Sequence, residues 1–249
     1  MRKRRICILV AAALASAVMA ALTAAAQTHP TTSTGAHRTT TAPRSTASLL
    51  NPSSLKLQAP AVFDAKFVTG KGDFVVEVVR DWSPRGADRF YNLVKYHYFD
   101  GAAFFRVIQG FVAQFGISAR PSVNHAWERA NIPDDPVTQS NTRGTLTFAT
   151  AGPNTRTTQI FINLADNNRL DAMGFSPFGK IVSGMDVVDK LYSAYGDGPP
   201  DGQGPDQNRL QREGKPYLDK EFPLLDTIKA TLIVPRPPVA PSKPATGAK

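Results

Sequence analysis

The chain of 249 residues is long enough for one β-rich domain with additional terminal segments, and its 42% apolar content is sufficient for a buried core. Part of its formal charge of +9 at pH 7 comes from Arg2, Lys3, Arg4 and Arg5 at the extreme N-terminus. Outside that segment no Lys/Arg run alternates with aromatic residues, which disfavours nucleic-acid binding.

Residues 1–26 have the layout of a secretory signal peptide. A basic start is followed by an apolar run over residues 6–22 and by the small residues 24–26 before Gln27. We expect cleavage after this segment and export to the periplasm or the medium. The alternative is an uncleaved membrane anchor facing outward, because the apolar run approaches the roughly 18 residues that can span a bilayer.

Two segments of simple composition flank the predicted domain, which covers residues 61–234. Residues 27–60 are rich in Thr, Ser, Ala and Pro and carry few large apolar side chains, so burial cannot repay the entropy of ordering them. Residues 235–249 are rich in proline and lack apolar periodicity. We expect a disordered linker before the domain and a disordered tail after it.

The domain begins with a predicted β-hairpin and a predicted helix. Residues 61–68 and 72–79 alternate loosely between apolar and polar side chains around a glycine-containing turn. Ser83 then provides a cap and Pro84 the first position of a helix over residues 84–96.

The rest of the domain is predicted to consist mostly of short strands. They are expected at residues 104–108, 111–115, 144–150, 159–164, 179–181 and 226–234. A second amphipathic helix is predicted over residues 184–195, ended by Gly196. Many short strands with two helices indicate a mainly β fold, a closed barrel or a sandwich, rather than a parallel α/β fold.

Several kinds of chemistry are disfavoured by what the sequence lacks. The four histidines are isolated or lie in the linker, and the single cysteine, Cys7, lies in the signal segment. The sequence has no pair of ligands at metal spacing and no G-x-S-x-G nucleophile motif. Residues 196–206 do not match the spacing of a calcium loop and are interpreted as a tight polar surface loop. We therefore expect no metal and no cofactor.

Four blocks carry the functional information: FFRVIQGFVAQ at residues 104–114, GTLTFATAGPNT at 144–155, TQIFIN at 158–163 and FGKIVSGMDVV at 178–188. In order and spacing these blocks resemble the cyclophilin family, over residues 62–234. The resemblance implies a closed eight-stranded antiparallel β-barrel capped by two α-helices. It also implies a peptidyl-prolyl cis-trans isomerase, or rotamase, that works without a cofactor.

The resemblance implies a role for each matching side chain. Arg106 matches the catalytic arginine, and Gln114 matches the glutamine that orients it. The floor and walls of the proline pocket match Phe111, Val112, Phe161 and Leu170. The peptide backbone is expected to lie along Ala149, Thr150, Ala151 and the neighbouring Gln159. Phe175 falls near a position often occupied by histidine.

An arginine beside an apolar pocket suits this reaction. Amide resonance opposes rotation with a barrier of roughly 18–20 kcal/mol, and X-Pro bonds populate both isomers. An always-charged guanidinium can donate hydrogen bonds to the prolyl nitrogen or carbonyl as the amide twists, in a site partly emptied of water. The side chains that alternate to the opposite side of the strands are predicted to be core residues: Phe148, Ile160 and Ile162.

The sequence departs from the family pattern at two positions near the site. Arg169 stands where many members have a tryptophan that supports binding of cyclosporin, so we expect weak cyclosporin binding. Phe105 replaces a common histidine, and we expect activity to survive because Arg106 is kept. Three segments look like the bacterial, exported branch of the family: residues 116–136, residues 176–177 and an extended loop over residues 196–217.

The sequence favours a folding catalyst that acts on proline-containing peptides and unfolded exported proteins. We expect a monomer that binds no nucleic acid, and membrane contact only if the signal is uncleaved. One alternative is a proline-peptide binding module or holdase chaperone that uses the same groove without turnover. Another is a small-molecule carrier of the lipocalin kind. The resemblance implies a barrel interior packed with side chains, which leaves no room for such a ligand, and Arg106 would then be unexplained.

Overall fold

The structure is a computed structural model that describes residues 46–236. The predicted signal over residues 1–26 lies outside the described residues, as do residues 27–45 of the predicted linker and 237–249 of the predicted tail. The described strands are Val62–Thr69 (β1), Asp73–Val79 (β2), Arg106–Ile108 (β3), Val112–Phe115 (β4), Thr145–Phe148 (β5), Ile160–Asn163 (β6), Pro177–Ser183 (β7) and Ile228–Val234 (β8).

The helices are more numerous than the sequence predicted. The described α-helices are Pro84–Lys95 (α1), Pro121–Trp127 (α2), Met185–Asp189 (α3), Gln207–Glu213 (α4) and Lys215–Glu221 (α5). Short 3-10 helices lie at Thr46–Leu50, Pro52–Ser54, Arg80–Trp82 and Asn168–Met173. None of the helices between residues 46 and 236 combines the length and apolar composition needed to cross a membrane.

The strands form one antiparallel sheet that curls around an apolar core. Its order is β3-β4-β6-β5-β7-β2-β1-β8, so β3 and β8 are the two edges. The prediction of a closed barrel was wrong in this respect, because the ladder is open between these edges. Gly101, with φ +82°, turns the chain just before β3, and β3 is only three residues long. The gap is spanned by one bridge, Ala103 to Thr227, and by a few backbone hydrogen bonds beside it.

The predicted β1–β2 hairpin is confirmed. Strict alternation turns Phe63, Ala65 and Phe67 of β1 into the core, while the residues between them are only partly buried. Phe67 lies opposite Phe74 of β2, and the two rings stack with centroids 4.7 Å apart. This stacked pair fixes the register of the hairpin.

The predicted first helix is confirmed as α1, with one difference at its cap. Ser83 occupies the N-cap position, but its hydroxyl donates to the carboxylate of Asp135 at 2.7 Å. That carboxylate in turn accepts hydrogen bonds from the backbone N–H groups of Arg85 and Gly86. Asp135 therefore caps the helix from a distant loop.

The predicted second helix over residues 184–195 is only partly correct. The α-helix α3 ends at Asp189, because the Asp226 carboxylate accepts a 2.7 Å hydrogen bond from the N–H of Tyr192 that a longer helix would use. Helices α4 and α5 lie in and just beyond the segment that was predicted as a loop.

The end of the predicted linker belongs to the domain. Leu49 is 1% exposed in the core, and its carbonyl accepts a 2.9 Å hydrogen bond from the indole N–H of Trp127. The amide of Asn92 pairs with both backbone groups of Leu57. The prediction of disorder over residues 27–60 therefore fails from residue 46 onward, because one buried leucine and backbone hydrogen bonds to α1 and α2 order this stretch.

Candidate active site

Three neighbouring strands bring the predicted catalytic side chains into one row. Arg106 of β3 lies opposite Gln114 of β4, and Gln114 lies opposite Phe161 of β6. Because successive side chains point to opposite faces of a strand, Phe115 of β4 and Ile162 of β6 enter the core on the other side. The predicted core residues Phe148, Ile160 and Ile162 are confirmed, each at most 1% exposed.

A small apolar cluster, separate from the main core, lies beside this row. Val112, Phe161 and Leu170 are its buried members, and Phe111, Ala149 and Phe175 pack on them partly buried. The rings of Phe161 and Phe175 meet edge to face with centroids 5.6 Å apart. These six residues, called the pocket cluster below, all belong to the predicted site, and the structure brings them together.

The pocket cluster is held in shape by a polar network behind it. Asn141 donates to the Phe175 carbonyl at 2.8 Å and to the Asp171 carboxylate at 2.8 Å. Burial favours a raised pKa for Asp171, but hydrogen bonds from Ser140 and Asn141 outweigh burial and lower the pKa. A charged Asp171 thus fixes the 3-10 helix that carries Leu170.

Arg106 lies at the rim of the pocket cluster and is held by two side chains. Its Nη1 donates to Oε1 of Gln114 at 3.3 Å. Its Nε and Nη2 donate to the two carboxylate oxygens of Asp197, at 2.7 and 2.8 Å. The guanidinium carbon lies 5.7 Å from the centre of the Phe111 ring. The hydrogen bond from Arg106 lowers the pKa of Asp197, so the pair is ionic at neutral pH.

The residues predicted to contact the peptide backbone line a cavity of about 410 Å³ next to Gln114. Gln114 donates to Oε1 of Gln159 at 2.8 Å, and this hydrogen bond links Arg106 to the cavity. The N–H of Ala149 donates to the Gln159 carbonyl at 2.9 Å, and the N–H of Ala151 donates to the Thr155 hydroxyl. Thr150, Ala151 and Gln159 all lie on the cavity wall.

Three side chains near the site make contacts that the sequence did not reveal. Asp197 lies 91 residues from Arg106 in a loop interpreted only as a polar surface loop, and no spacing signal marks it. Arg169 places its guanidinium carbon 4.8 Å from the centre of the Phe111 ring. Phe105 is 1% exposed and anchors α4 and α5 through Leu210, Tyr217 and Leu218. Its position next to Arg106 connects these helices to the site.

The arrangement suits binding and polarising an amide. The described residues contain no group of three His, Cys, Asp or Glu side chains placed to hold a metal ion. What the site offers is an apolar surface, a fixed guanidinium with N–H donors, and a polar cavity at one side. Such a set can hold a cyclic apolar group and donate hydrogen bonds to the amide beside it.

Comparison with known proteins agrees with this geometry. The family model for cyclophilin type peptidyl-prolyl cis-trans isomerases matches residues 65–211. A peptidyl-prolyl cis-trans isomerase of Acinetobacter baylyi is 37% identical over 137 residues, which cover 49% of this chain and 68% of the relative. Peptidyl-prolyl cis-trans isomerase B of Escherichia coli is 34% identical over 134 residues, covering 50% of this chain and 81% of the relative.

A solved structure supports the same fold. The cyclophilin type peptidyl-prolyl cis-trans isomerase of Cryptosporidium parvum superposes with a TM-score of 0.52 at 22% identity, covering 71% of this chain and 99% of that chain. Together with the sequence matches, the site geometry leads to one conclusion: this chain belongs to the cyclophilin-type peptidyl-prolyl cis-trans isomerases.

Proposed function

We propose that this isomerase acts on prolines of exported proteins as they fold, with Arg106 as its catalytic residue. The observation that carries the assignment of the site is the Arg106 guanidinium, which lies 5.7 Å from the Phe111 ring at the rim of the pocket cluster. The exported location is supported by the layout of residues 1–26.

The pocket cluster suits the ring of a proline. Its buried floor consists of Val112, Phe161 and Leu170, and the half-buried Phe111 and Phe175 stand at its edge. A proline ring is compact and apolar, so its transfer from water onto this surface is favourable. With the ring fixed there, the residue before the proline is the part that turns.

Arg106 acts on the amide as it twists. Twisting the X-Pro bond breaks the resonance and localises a lone pair on the prolyl nitrogen. A guanidinium N–H can donate to that nitrogen or to the carbonyl, and this hydrogen bond strengthens as the bond order falls. The reaction needs no proton transfer and no covalent intermediate.

The chain on the other side of the twisting bond lies along residues 149–151. Gln159 and Thr150 line the cavity there, and Gln114 connects that cavity to Arg106. Backbone and amide groups contact any peptide alike, so this part of the site accepts many sequences. Broad acceptance is what a catalyst of general protein folding requires.

A refolding experiment tests this proposal. The substrate is a disulfide-free exported protein whose slow refolding phase, tens to hundreds of seconds, is limited by X-Pro isomerisation. We expect residues 27–249 to accelerate this phase in proportion to enzyme concentration. Arg129→Ala, which removes an exposed arginine just after α2, is the matched control and keeps the effect. Arg106→Ala loses it.

Two outcomes would contradict the proposal. An unchanged slow phase with active enzyme on short peptides would show that folding chains are not substrates. Suppressed aggregation at stoichiometric concentration, with an unchanged rate and with Arg106→Ala as effective as the parent, would instead support a holdase chaperone.

A further inference from the structure

We infer that Asp197 is a positioning residue for the isomerase reaction, one that holds Arg106 in the orientation its substrate needs. The inference rests on the function proposed above and adds a residue to it. It starts from the bidentate contact, in which both carboxylate oxygens accept hydrogen bonds from one edge of the guanidinium, at 2.7 and 2.8 Å. Bidentate pairs of this kind fix orientation as well as distance.

The contact leaves donors for a substrate. A guanidinium carries five N–H hydrogens in a rigid plane. Asp197 accepts one from Nε and one from Nη2, and Gln114 accepts one from Nη1. One hydrogen each on Nη1 and Nη2 remains. Asp197 therefore orients the group without using up the donors that reach the amide.

The ion pair between Arg106 and Asp197 is partly shielded from water. The side chains of Arg106 and Asp197 are 21% and 27% exposed, so water competes only in part. Exposed arginine side chains have several rotatable bonds and lose considerable entropy when they are fixed. A carboxylate on the folded loop removes that freedom before the substrate arrives. The entropy of fixing Arg106 is then no longer part of the activation free energy of the bound substrate.

The loop of residues 196–206, called the aspartate loop here, is folded around Asp197. Its Oδ1 accepts a 2.8 Å hydrogen bond from the N–H of Gly198, and its carbonyl accepts one from the N–H of Gly204 at 2.7 Å. A side chain at Gly202 or Gly204 would clash with that same carbonyl oxygen. The glycines thus let the loop close tightly behind the carboxylate.

Helices α4 and α5 tie the aspartate loop to the strand that carries the arginine. Asp206 caps α4 by accepting a 2.8 Å hydrogen bond from the N–H of Arg209, and its own N–H donates to the Tyr217 hydroxyl at 3.0 Å. Tyr217 packs in one buried cluster with Phe105, the neighbour of Arg106. Both residues of the ion pair are therefore connected to the same buried cluster.

Exchange NMR on an Ala-Pro-Phe peptide tests the inference, because it gives kcat and KM separately. We expect Asp197→Asn to lower kcat about tenfold while KM changes less than about twofold. The matched control is Asp201→Asn, which removes the same charge from an exposed position of the aspartate loop and leaves both constants unchanged. Thermal unfolding of each variant checks that the fold is kept.

Two further readouts separate positioning from a general structural effect. The ¹H–¹⁵N signal of the Arg106 Nε group, shifted downfield by the carboxylate in the parent, moves toward its free value in Asp197→Asn. In an Arg106→Ala background, adding Asp197→Asn causes no further loss of kcat, because residues acting as a unit are not additive.

The outcomes distinguish the inference from the function on which it rests. An active parent whose Asp197→Asn variant has unchanged or higher kcat overturns the inference alone, and a higher kcat would mean that the carboxylate withholds Arg106. A loss of kcat in the Arg106→Ala background also overturns it. A folded parent without isomerase activity overturns the proposed function and the inference together.

Discussion

At the scale of single residues, the ring of Phe111 lies near two cationic side chains. The guanidinium carbons of Arg106 and Arg169 lie 5.7 and 4.8 Å from its centre. Arg169 occupies the position where the sequence resemblance places a tryptophan. A charged, exposed side chain at this rim offers a cyclic apolar peptide less contact surface than an indole does.

This position yields a prediction about cyclosporin. We expect the parent to bind cyclosporin weakly and Arg169→Trp to bind it about tenfold more tightly, because the indole adds apolar contact beside Phe111. Isothermal titration calorimetry measures both affinities, with the exposed Arg129→Ala variant as the control. Equal affinities for parent and Arg169→Trp would show that this side chain does not limit cyclosporin binding.

The charges at the site predict a flat pH profile. The hydrogen bond from Arg106 lowers the pKa of Asp197 in the folded protein. The ionised carboxylate therefore adds to the stability of the fold at pH values above its unfolded pKa near 3.9, and this stability is lost as the pH falls through the lower folded pKa. We expect kcat/KM to be constant from about pH 5 to pH 8 and to fall only in stronger acid. A transition near pH 6.5, measured by exchange NMR, would point to a histidine instead.

At this scale the sequence predicted most of the side chains that the structure brings together, and the reason lies in local patterns. Arg106, Gln114 and Phe161 sit in short strands whose alternation and motif spacing place them on one face. Asp197 was missed because its contact with Arg106 depends on how an irregular loop folds. No periodicity encodes the position of a single carboxylate in such a loop.

At the scale of elements, α4 and α5 pack against Phe105. This side chain is 1% exposed and shares a small cluster with Leu210, Tyr217 and Leu218, apart from the main core. A large aromatic side chain at this position gives two helices of seven residues each a surface on which to fold. Helices this short are not stable alone, so packing supplies their stability.

Removal of this anchor is predicted to be costly. We expect Phe105→Ala to lower the free energy of unfolding by about 3–5 kcal/mol, the usual range for a buried phenylalanine, and to lower kcat by releasing the aspartate loop. Urea unfolding of residues 27–249 measures the first effect. Phe222→Ala, at the partly buried edge of the same cluster, is the control and should cost less. An equal or smaller loss for Phe105→Ala would contradict this assignment of the anchor.

The helices also show the limit of predicting structure from apolar spacing. The spacing of apolar residues predicted α1 well, because Pro84 and the apolar positions Phe90, Leu93 and Val94 are local signals. The same kind of spacing over residues 184–195 overstated α3, because the carboxylate of Asp226, far along the chain, takes the N–H of Tyr192. Competition from a distant side chain is invisible to a periodicity argument.

At the scale of the whole molecule, the mainly β architecture and the pairing of β1 with β2 could be predicted from the sequence. The open edge between β3 and β8 could not, because alternation within a strand does not encode which strands pair, and a single bridge, Ala103 to Thr227, joins the two edges. That residues 46–60 belong to the domain was missed for a related reason. The buried Leu49 and hydrogen bonds to α1 and α2 order a stretch whose average composition is that of a linker.

The proposed exported location makes a prediction about processing. When residues 1–249 are expressed in a bacterium with an outer membrane, we expect a soluble periplasmic protein whose N-terminus is Gln27. Cell fractionation followed by N-terminal sequencing measures this. A full-length product in the membrane fraction would support the uncleaved anchor, and a full-length product in the cytoplasm would contradict export.

The central claim is that rotation about the X-Pro bond is catalysed at Arg106. Its most direct test is the cis/trans exchange rate of an Ala-Pro-Phe peptide, measured by exchange NMR with residues 27–249 and with Arg106→Ala. We predict that the parent accelerates exchange and that the folded variant loses about 100-fold of kcat/KM, as expected when a main donor to the transition state is removed. A folded Arg106→Ala variant with undiminished kcat/KM would contradict the claim.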